Sequence, residues 1–296
     1  AEALALVNSS PLADMTGHVL DGATAQGTGG IRLRLALPLN DLARSKVNGS
    51  ITLPGNDLQI TPGSPLLGRA RGVVNFSETG FSLVGAQARL LGGEMRLEGG
   101  SRSAAAPPTD PQVLLRAQGT VTAEGMRQAR EMGPLAALAQ RMQGSTSYSA
   151  SLAVRRGVPE ISVASNLQGL ALQFPAPLTK AAADAMPLRY ENALQKTSLA
   201  ADAPLTDQLA LELGQVGAVQ FVRDLSGARP KVLRGMVSLG LLPGESVALP
   251  TSGVSANIRL GEVDVDAWEK VFLSMAPQVT ATSAVASGQD HVAQDY

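Results

Sequence analysis

Apolar and polar residues alternate with a period of two in segment after segment of this chain, and this pattern limits its fold more than any other feature. Between Ile31 and Leu37, every second residue is aliphatic and two of the intervening residues are arginines. Because successive side chains of a β-strand point to opposite sides, such alternation is typical of a strand with one apolar and one polar face. The pattern recurs as far as Leu260. The sequence therefore predicts a mainly β fold, a long and twisted antiparallel meander.

The apolar members of these alternating segments define one predicted face of the meander. They are Ile31, Leu33, Leu35, Leu37, Val47, Ile51, Leu53, Val74, Phe76, Tyr148, Leu152, Ile161, Val163, Leu209, Leu211, Leu213, Ile258 and Leu260. Two architectures would use such a face: the closed core of a sandwich or barrel, and an open hydrophobic groove. Composition alone favours the closed core without excluding the groove.

Two segments depart from the alternation and have the composition of short helices. The first covers residues 124–142 and is expected to break at Gly133, which precedes a proline. The second covers residues 265–275. Asp264 or Asp266 is expected to cap this second helix, an interpretation simpler than a cation site formed by the two carboxylates.

Other breaks in the pattern mark loops and sub-segments. Residues 101–111 form the clearest flexible loop, and the Pro-Gly-Asn sequence at 54–56 predicts a turn that ends a strand. We expect residues 1–296 to be one continuous segment of a longer protein. Its loose sub-segments would be 1–123, 124–263 and 264–296.

Composition argues against several functional classes. The chain has 24 Lys plus Arg against 25 Asp plus Glu, a net charge of -1, so there is no electrostatic case for nucleic acid. It contains no cysteine, which removes thiolate metal sites and cysteine nucleophiles. Its two histidines, His18 and His291, lie in polar terminal segments, which leaves little material for a catalytic triad or a histidine metal site. We therefore expect no enzyme activity, no metal and no cofactor.

Three stretches of the chain together resemble the AsmA-like YhdP family of Gram-negative bacteria. They are residues 46–100, 144–180 and 260–268, each built from turn glycines, prolines and alternating strands. The order of these stretches carries the resemblance, which implies the periplasmic part of an inner-membrane-anchored protein whose anchor is not in this chain. It also implies a bent β-sheet whose hydrophobic groove moves phospholipid between the inner and outer membranes.

The resemblance gives the apolar residues and some arginines specific roles. The apolar set would line the open groove, and Arg155 and Arg156 would be candidates for contacts with lipid phosphates at its rim. A solvated outer surface is the simpler interpretation of these and other arginines. The implied partners are phospholipid and, through parts outside this chain, the two membranes. The alternative function is a closed β-sandwich that serves as a binding or structural module of the cell envelope without lipid transport.

Overall fold

The computed structural model describes residues 20–36, 38, 40, 46–101, 110–200, 202–227, 229–242, 245 and 248–275, and most of them belong to β-strands. The strands are β1 (Thr24–Gln26), β2 (Gly30–Ala36), β3 (Lys46–Gln59), β4 (Leu67–Ser77), β5 (Gly80–Leu90), β6 (Gly93–Ser101), β7 (Val113–Thr122), β8 (Met142–Arg155), β9 (Val158–Ser165), β10 (Leu170–Leu172), β11 (Leu188–Leu194), β12 (Thr206–Leu213), β13 (Gly217–Asp224), β14 (Lys231–Leu239) and β15 (Gly253–Ile258). The predicted loop at 101–111 lies for the most part outside the described residues.

Among the described residues, three short α-helices accompany the strands. They are α1 (Ala123–Gln128), α2 (Pro134–Leu138) and α3 (Val265–Met275), with 3-10 turns at Arg130–Met132, Ala139–Arg141 and Lys196–Leu199. The first predicted helical segment is confirmed as an interrupted helix, although α1 already ends at Gln128. Gly133, the expected break, separates the 3-10 turn at Arg130–Met132 from α2, and its φ of 51° is one that a non-glycine residue rarely adopts. The second is confirmed as α3. Asp264 caps it, because its Oδ1 accepts a hydrogen bond of 2.9 Å from the backbone N–H of Ala267.

The strands form one open sheet in which almost every strand pairs with its neighbour in sequence. The order in this 15-stranded sheet is β1-β3-β4-β5-β6-β7-β8-β9-β11-β12-β13-β14-β15, with β2 beside β3 and β10 beside β8. No hydrogen bonds join the first strands to the last ones in the described part of the chain, so the sheet does not close. The predicted open, mainly β meander is therefore confirmed, and the closed sandwich is not the observed architecture.

The last strand pair differs from the predicted antiparallel pattern. β14 and β15 run parallel, with Arg234 paired to Gly253 and Leu239 paired to Ile258. Parallel neighbours need a crossover connection, which residues 240–252 provide here. Alternation within a strand carries no information on its direction, which is why the sequence did not reveal this crossover.

A second difference concerns the turn predicted at residues 54–56. These residues continue β3, and the pairing register with β4 shifts between Pro54 and Asn56 and again between Asn56 and Leu58. The predicted turn is therefore wrong, and the segment is an irregular, bulged part of a long strand. Proline is compatible with a bulge because the ladder there lacks some of its regular hydrogen bonds.

The pairing register assigns every strand residue to one of two faces. Directly paired residues share a face, and successive residues along a strand alternate between faces. Ile51 pairs with Ile31 on β2 and with Val74 on β4, and the same face continues strand by strand to Ile258 on β15. We call this side the apolar face. The other side, the polar face, is rich in arginine, serine, glutamine and glutamate.

The helices gather at one end of the central strands, and we call α1, α2, the adjoining 3-10 turns and α3 the helical cap. Together with the connection around β10 they enclose a hydrophobic cluster that contains the fully buried Ala139 and Val271. Val121, Leu188 and Leu213 of the apolar face pack against this cluster. The helical cap therefore covers one end of the apolar face, while the edges of that face at β2 and β15 stay exposed.

We expect the purified chain to self-associate unless lipid or detergent is present. In the described part of the chain β2 pairs only with β3, and β15 pairs only with β14, so both strands present unpaired backbone groups. Both also carry exposed aliphatic residues on the apolar face, among them Leu35 and Val254. Sedimentation velocity at micromolar concentration would measure the association. A monodisperse monomer without detergent or lipid would contradict this expectation.

Candidate functional site

The apolar face brings together the residues predicted to form one side of the meander. Every predicted lining residue that lies within a described strand is on this face. Leu37 lies outside the described residues, and Leu260 follows the end of β15. The structure thus confirms a shared face for these residues, while their role in lining a lipid groove stays a prediction.

Part of the apolar face is open to solvent, although other residues of the same face, such as Phe76 and Val154, are buried. Leu35 is 55% exposed at one edge of the sheet, Leu211 is 38% exposed in a later strand, and Ile258 is 57% exposed at the opposite edge. A globular protein of ordinary design would bury such residues, and a large exposed apolar surface marks a place where another molecule binds. The candidate site is therefore the apolar face, with its most exposed residues near the two edges of the sheet.

Two phenylalanines of this face lie flat on the sheet. Phe76 on β4 is paired with Gly49 on β3, and Phe221 on β13 is paired with Gly235 on β14. In both pairs a Cβ added to the glycine would overlap the aromatic ring, so the ring occupies the space that a side chain would need. Because glycine has no side chain, each ring lies against the backbone of its partner glycine and projects little from the sheet.

We expect Gly235→Ala to destabilise the protein by about 1–3 kcal/mol, because the new methyl group must displace the ring of Phe221. Combining it with Phe221→Leu should recover part of the loss. Urea denaturation followed by circular dichroism would measure both variants. Gly63→Ala is the matched control, since an added Cβ there meets no atom within 4 Å. A loss for Gly235→Ala no larger than for this control would contradict the proposed role of the glycine.

Tyr148 places a hydroxyl group within the apolar face. Its Oη is buried and has no hydrogen-bond partner in the described part of the chain. Burial raises the pKa of Tyr148 above its ordinary value, so the phenol stays protonated at neutral pH. The residue therefore has an unused donor on a face that is otherwise largely aliphatic.

Asp207 and Arg223 are the only charged residues on the apolar face among the paired positions of the described strands. They are directly opposite each other on β12 and β13, and the guanidinium holds the carboxylate with two hydrogen bonds, Nε to Oδ1 at 3.0 Å and Nη2 to Oδ2 at 2.5 Å. Nη2 also donates to Asn192 Oδ1 on β11 at 3.2 Å. The hydrogen bonds with Asp207 raise the pKa of Arg223 further above its ordinary value.

Sequence reasoning missed this pair, although the chain contains a signal for it. Asp207 is in phase with Leu209 and Leu211 in the alternation of β12, and Arg223 is in phase with Phe221 in β13. A charge at an apolar position of an alternating segment is unusual, because burying it unpaired is costly. Two such exceptions in neighbouring segments would have indicated a cross-strand ion pair.

The two arginines predicted to lie at the rim are engaged within the chain. Arg155 ends β8 and its Nε lies 3.2 Å from Oε2 of Glu160, across the hairpin with β9. Arg156 donates through Nη1 to the carbonyl oxygens of Ser198 and Ala203, at 2.7 and 3.0 Å. Both residues lie at the end of the strands away from the helical cap. These contacts fix the β8–β9 hairpin, and a role for either arginine in lipid binding stays a prediction.

These features define a class of protein, a single open β-sheet whose one face is apolar and partly exposed. The particular family follows from comparison with known proteins. A family model described as "YhdP protein" matches residues 1–293, and the chain belongs to this family. The resemblance to the AsmA-like YhdP family is thereby confirmed. Neither a curated protein nor a solved structure matches the chain significantly.

Among the described residues, none of the helices has both the length and the apolar character needed to span a bilayer.

Proposed function

We propose that this chain is a segment of a periplasmic lipid-transfer bridge, which carries phospholipid between the inner and outer membranes. The acyl chains would lie on the apolar face, and the segment would transport lipid without catalysing a reaction. One observation carries the proposal: the apolar face extends across the open sheet from β2 to β15 and leaves residues such as Leu33 and Ile258 exposed. A phospholipid is the partner whose acyl chains match a face of this composition.

The composition of the apolar face supports movement of lipid and not only its retention. Burial of an acyl chain is favourable by about 0.8 kcal/mol per CH₂ group, so an apolar surface of this extent holds lipid firmly. Movement then requires that neighbouring positions bind almost equally well. Aliphatic residues dominate the face, and two of its aromatic residues, Phe76 and Phe221, lie flat on glycines. The binding free energy of a lipid would therefore vary little from one position on the face to the next.

Family membership supports the proposed location and partners. The chain belongs to the YhdP family, and this membership supports an assignment to the periplasmic part of an inner-membrane-anchored protein. Within that setting the two membranes would be reached through other parts of the protein. We therefore propose a periplasmic location together with the transport function.

Copurified lipid tests the proposal directly. We expect native mass spectrometry of the purified chain to show adducts with phospholipid masses, and organic extraction followed by lipid mass spectrometry to identify them. Delipidated protein should regain the adducts when mixed with phospholipid vesicles. A clean lipid-free mass that persists after this mixing would contradict the proposal and favour a structural module.

A further inference from the structure

The Asp207–Arg223 pair has features that a purely structural ion pair does not need. Asp207 is 2% exposed, whereas the side chain of Arg223 keeps 22% of its surface exposed. The two hydrogen bonds to Asp207 and the one to Asn192 use Nε and Nη2. Nη1 makes no hydrogen bond within the described part of the chain, and it is accessible to solvent. One edge of the guanidinium is thus held by a buried carboxylate, and the other edge is free.

A guanidinium held in this way is suited to bind an oxyanion. Its planar array of N–H groups matches the oxygens of phosphate and carboxylate, and a fixed orientation lowers the entropy lost on binding. Asp207 and Asn192 supply that fixed orientation. Asp207 also neutralises the charge of Arg223, so the pair would recognise an oxyanion through directed hydrogen bonds more than through net charge.

The position of the pair sets the kind of molecule that would reach it. Asp207 lies near the start of β12, and Leu213, at the end of the same strand, packs against the helical cap. At about 3.3 Å per residue, the strand between them spans about 20 Å. Leu209 and Leu211 face the same side along this length. One leaflet of a bilayer has a hydrocarbon depth of about 15 Å, so the acyl chains of one phospholipid fit between the pair and the helical cap.

We propose that the phosphodiester group of a bound phospholipid accepts hydrogen bonds from Nη1 of Arg223, with its acyl chains lying along β11 to β13 toward the helical cap. This inference rests on the proposed function, because it names the part of the apolar face that contacts the headgroup. Asp207 and Arg223 would then form a polar binding point for the headgroup at the end of the strands opposite the helical cap. We call this binding point the headgroup station. Arg223 is the binding residue, and Asp207 is the residue that positions it.

A comparison of two lipids tests the proposal with the delipidated full chain. Binding of a phosphatidylethanolamine and of the diacylglycerol with the same acyl chains would be measured by native mass spectrometry titration. We expect the unmodified chain to prefer the phospholipid about tenfold, the size expected for one charge-assisted hydrogen bond. Arg223→Lys should reduce this preference to about one, because lysine keeps a charge for Asp207 and lacks the second donor edge. Its binding of diacylglycerol should stay unchanged.

Further variants separate an effect on headgroup binding at the headgroup station from an effect on the fold. The pair Asp207→Asn with Arg223→Gln removes both charges together and should also abolish the preference, provided that its thermal unfolding remains cooperative. Arg189→Gln is the matched control, since Arg189 is an exposed arginine on the polar face of β11. It should keep the tenfold preference.

Several results would overturn the proposal. Equal binding of both lipids by the unmodified chain would show that no headgroup station exists, while the lipid-transfer function would still stand. Retention of the preference in Arg223→Lys would place the headgroup elsewhere. Binding of glycerol phosphate or inorganic phosphate as tight as that of the phospholipid would identify a free-phosphate site instead. Binding of neither lipid would overturn the proposed function itself, and the station with it.

Discussion

Replacing Leu35 or Leu211 with aspartate is expected to reduce phospholipid binding more than tenfold while the fold remains intact. The two leucines are 55% and 38% exposed, so a carboxylate at either position stays hydrated in the lipid-free protein. A bound acyl chain would cover that carboxylate, and covering an unpaired charge costs at least about 2 kcal/mol. Lipid occupancy by native mass spectrometry and thermal unfolding by circular dichroism would measure the two effects separately.

A substitution on the polar face provides the control for this experiment. Arg34→Asp introduces the same carboxylate beside Leu35 but on the other side of β2. It should leave both lipid occupancy and unfolding unchanged. Loss of the cooperative unfolding transition in Leu35→Asp would contradict the view that this part of the face is an open binding surface. Unchanged lipid occupancy in Leu211→Asp would place the lipid on another part of the protein.

Removal of the Arg223 side chain should have the largest effect on stability. Arg223→Ala leaves Asp207 charged, 2% exposed and without its partner, which is expected to cost about 3–5 kcal/mol. Asp207→Ala should cost less, because the guanidinium of Arg223 is already partly exposed and can hydrate. Urea denaturation at neutral pH would give both free energies of unfolding.

Simultaneous replacement of both charged residues provides the control for this second prediction. With Asp207→Leu and Arg223→Leu together, no charge remains unpaired and two apolar residues face each other across β12 and β13. Most of the stability should return, as is common when a buried ion pair is replaced by apolar residues of similar volume. Losses below about 1 kcal/mol for both single variants would show that the pair behaves as an exposed salt bridge.

The apolar face could be predicted from the sequence because its cause is local. In a strand such as β2, the alternation of Ile31 and Leu33 with Arg32 decides which side is apolar, whatever the strand pairs with. Helix boundaries were equally local. Gly133 separates a 3-10 turn from the helix that begins at Pro134, and Asp264 caps another helix through a hydrogen bond three residues along the chain. Such features depend on residues that are close together in the sequence, so they can be predicted from the sequence alone.

Other features depended on contacts between distant residues. The sequence at 54–56 is compatible with a turn and with a bulge, and only the pairing of β3 with β4 decided for the bulge. The parallel direction of β15 and the contact of Val271 with the cluster around Ala139 likewise arise between segments far apart in the chain. Arg156, a predicted candidate for a lipid-phosphate contact, donates to the carbonyl oxygens of Ser198 and Ala203, 42 and 47 residues away.

The sequence by itself thus determined the strands, their two faces and the helices, since each follows from the order of side chains along a few residues. The tertiary structure alone decided whether the apolar face is covered. Alternation makes one side of a sheet apolar and leaves open what packs against that side, because burial depends on the position of every other segment. Here the helical cap covers one end of the face near Leu188 and Leu213, while Leu35, Leu211 and Ile258 remain exposed.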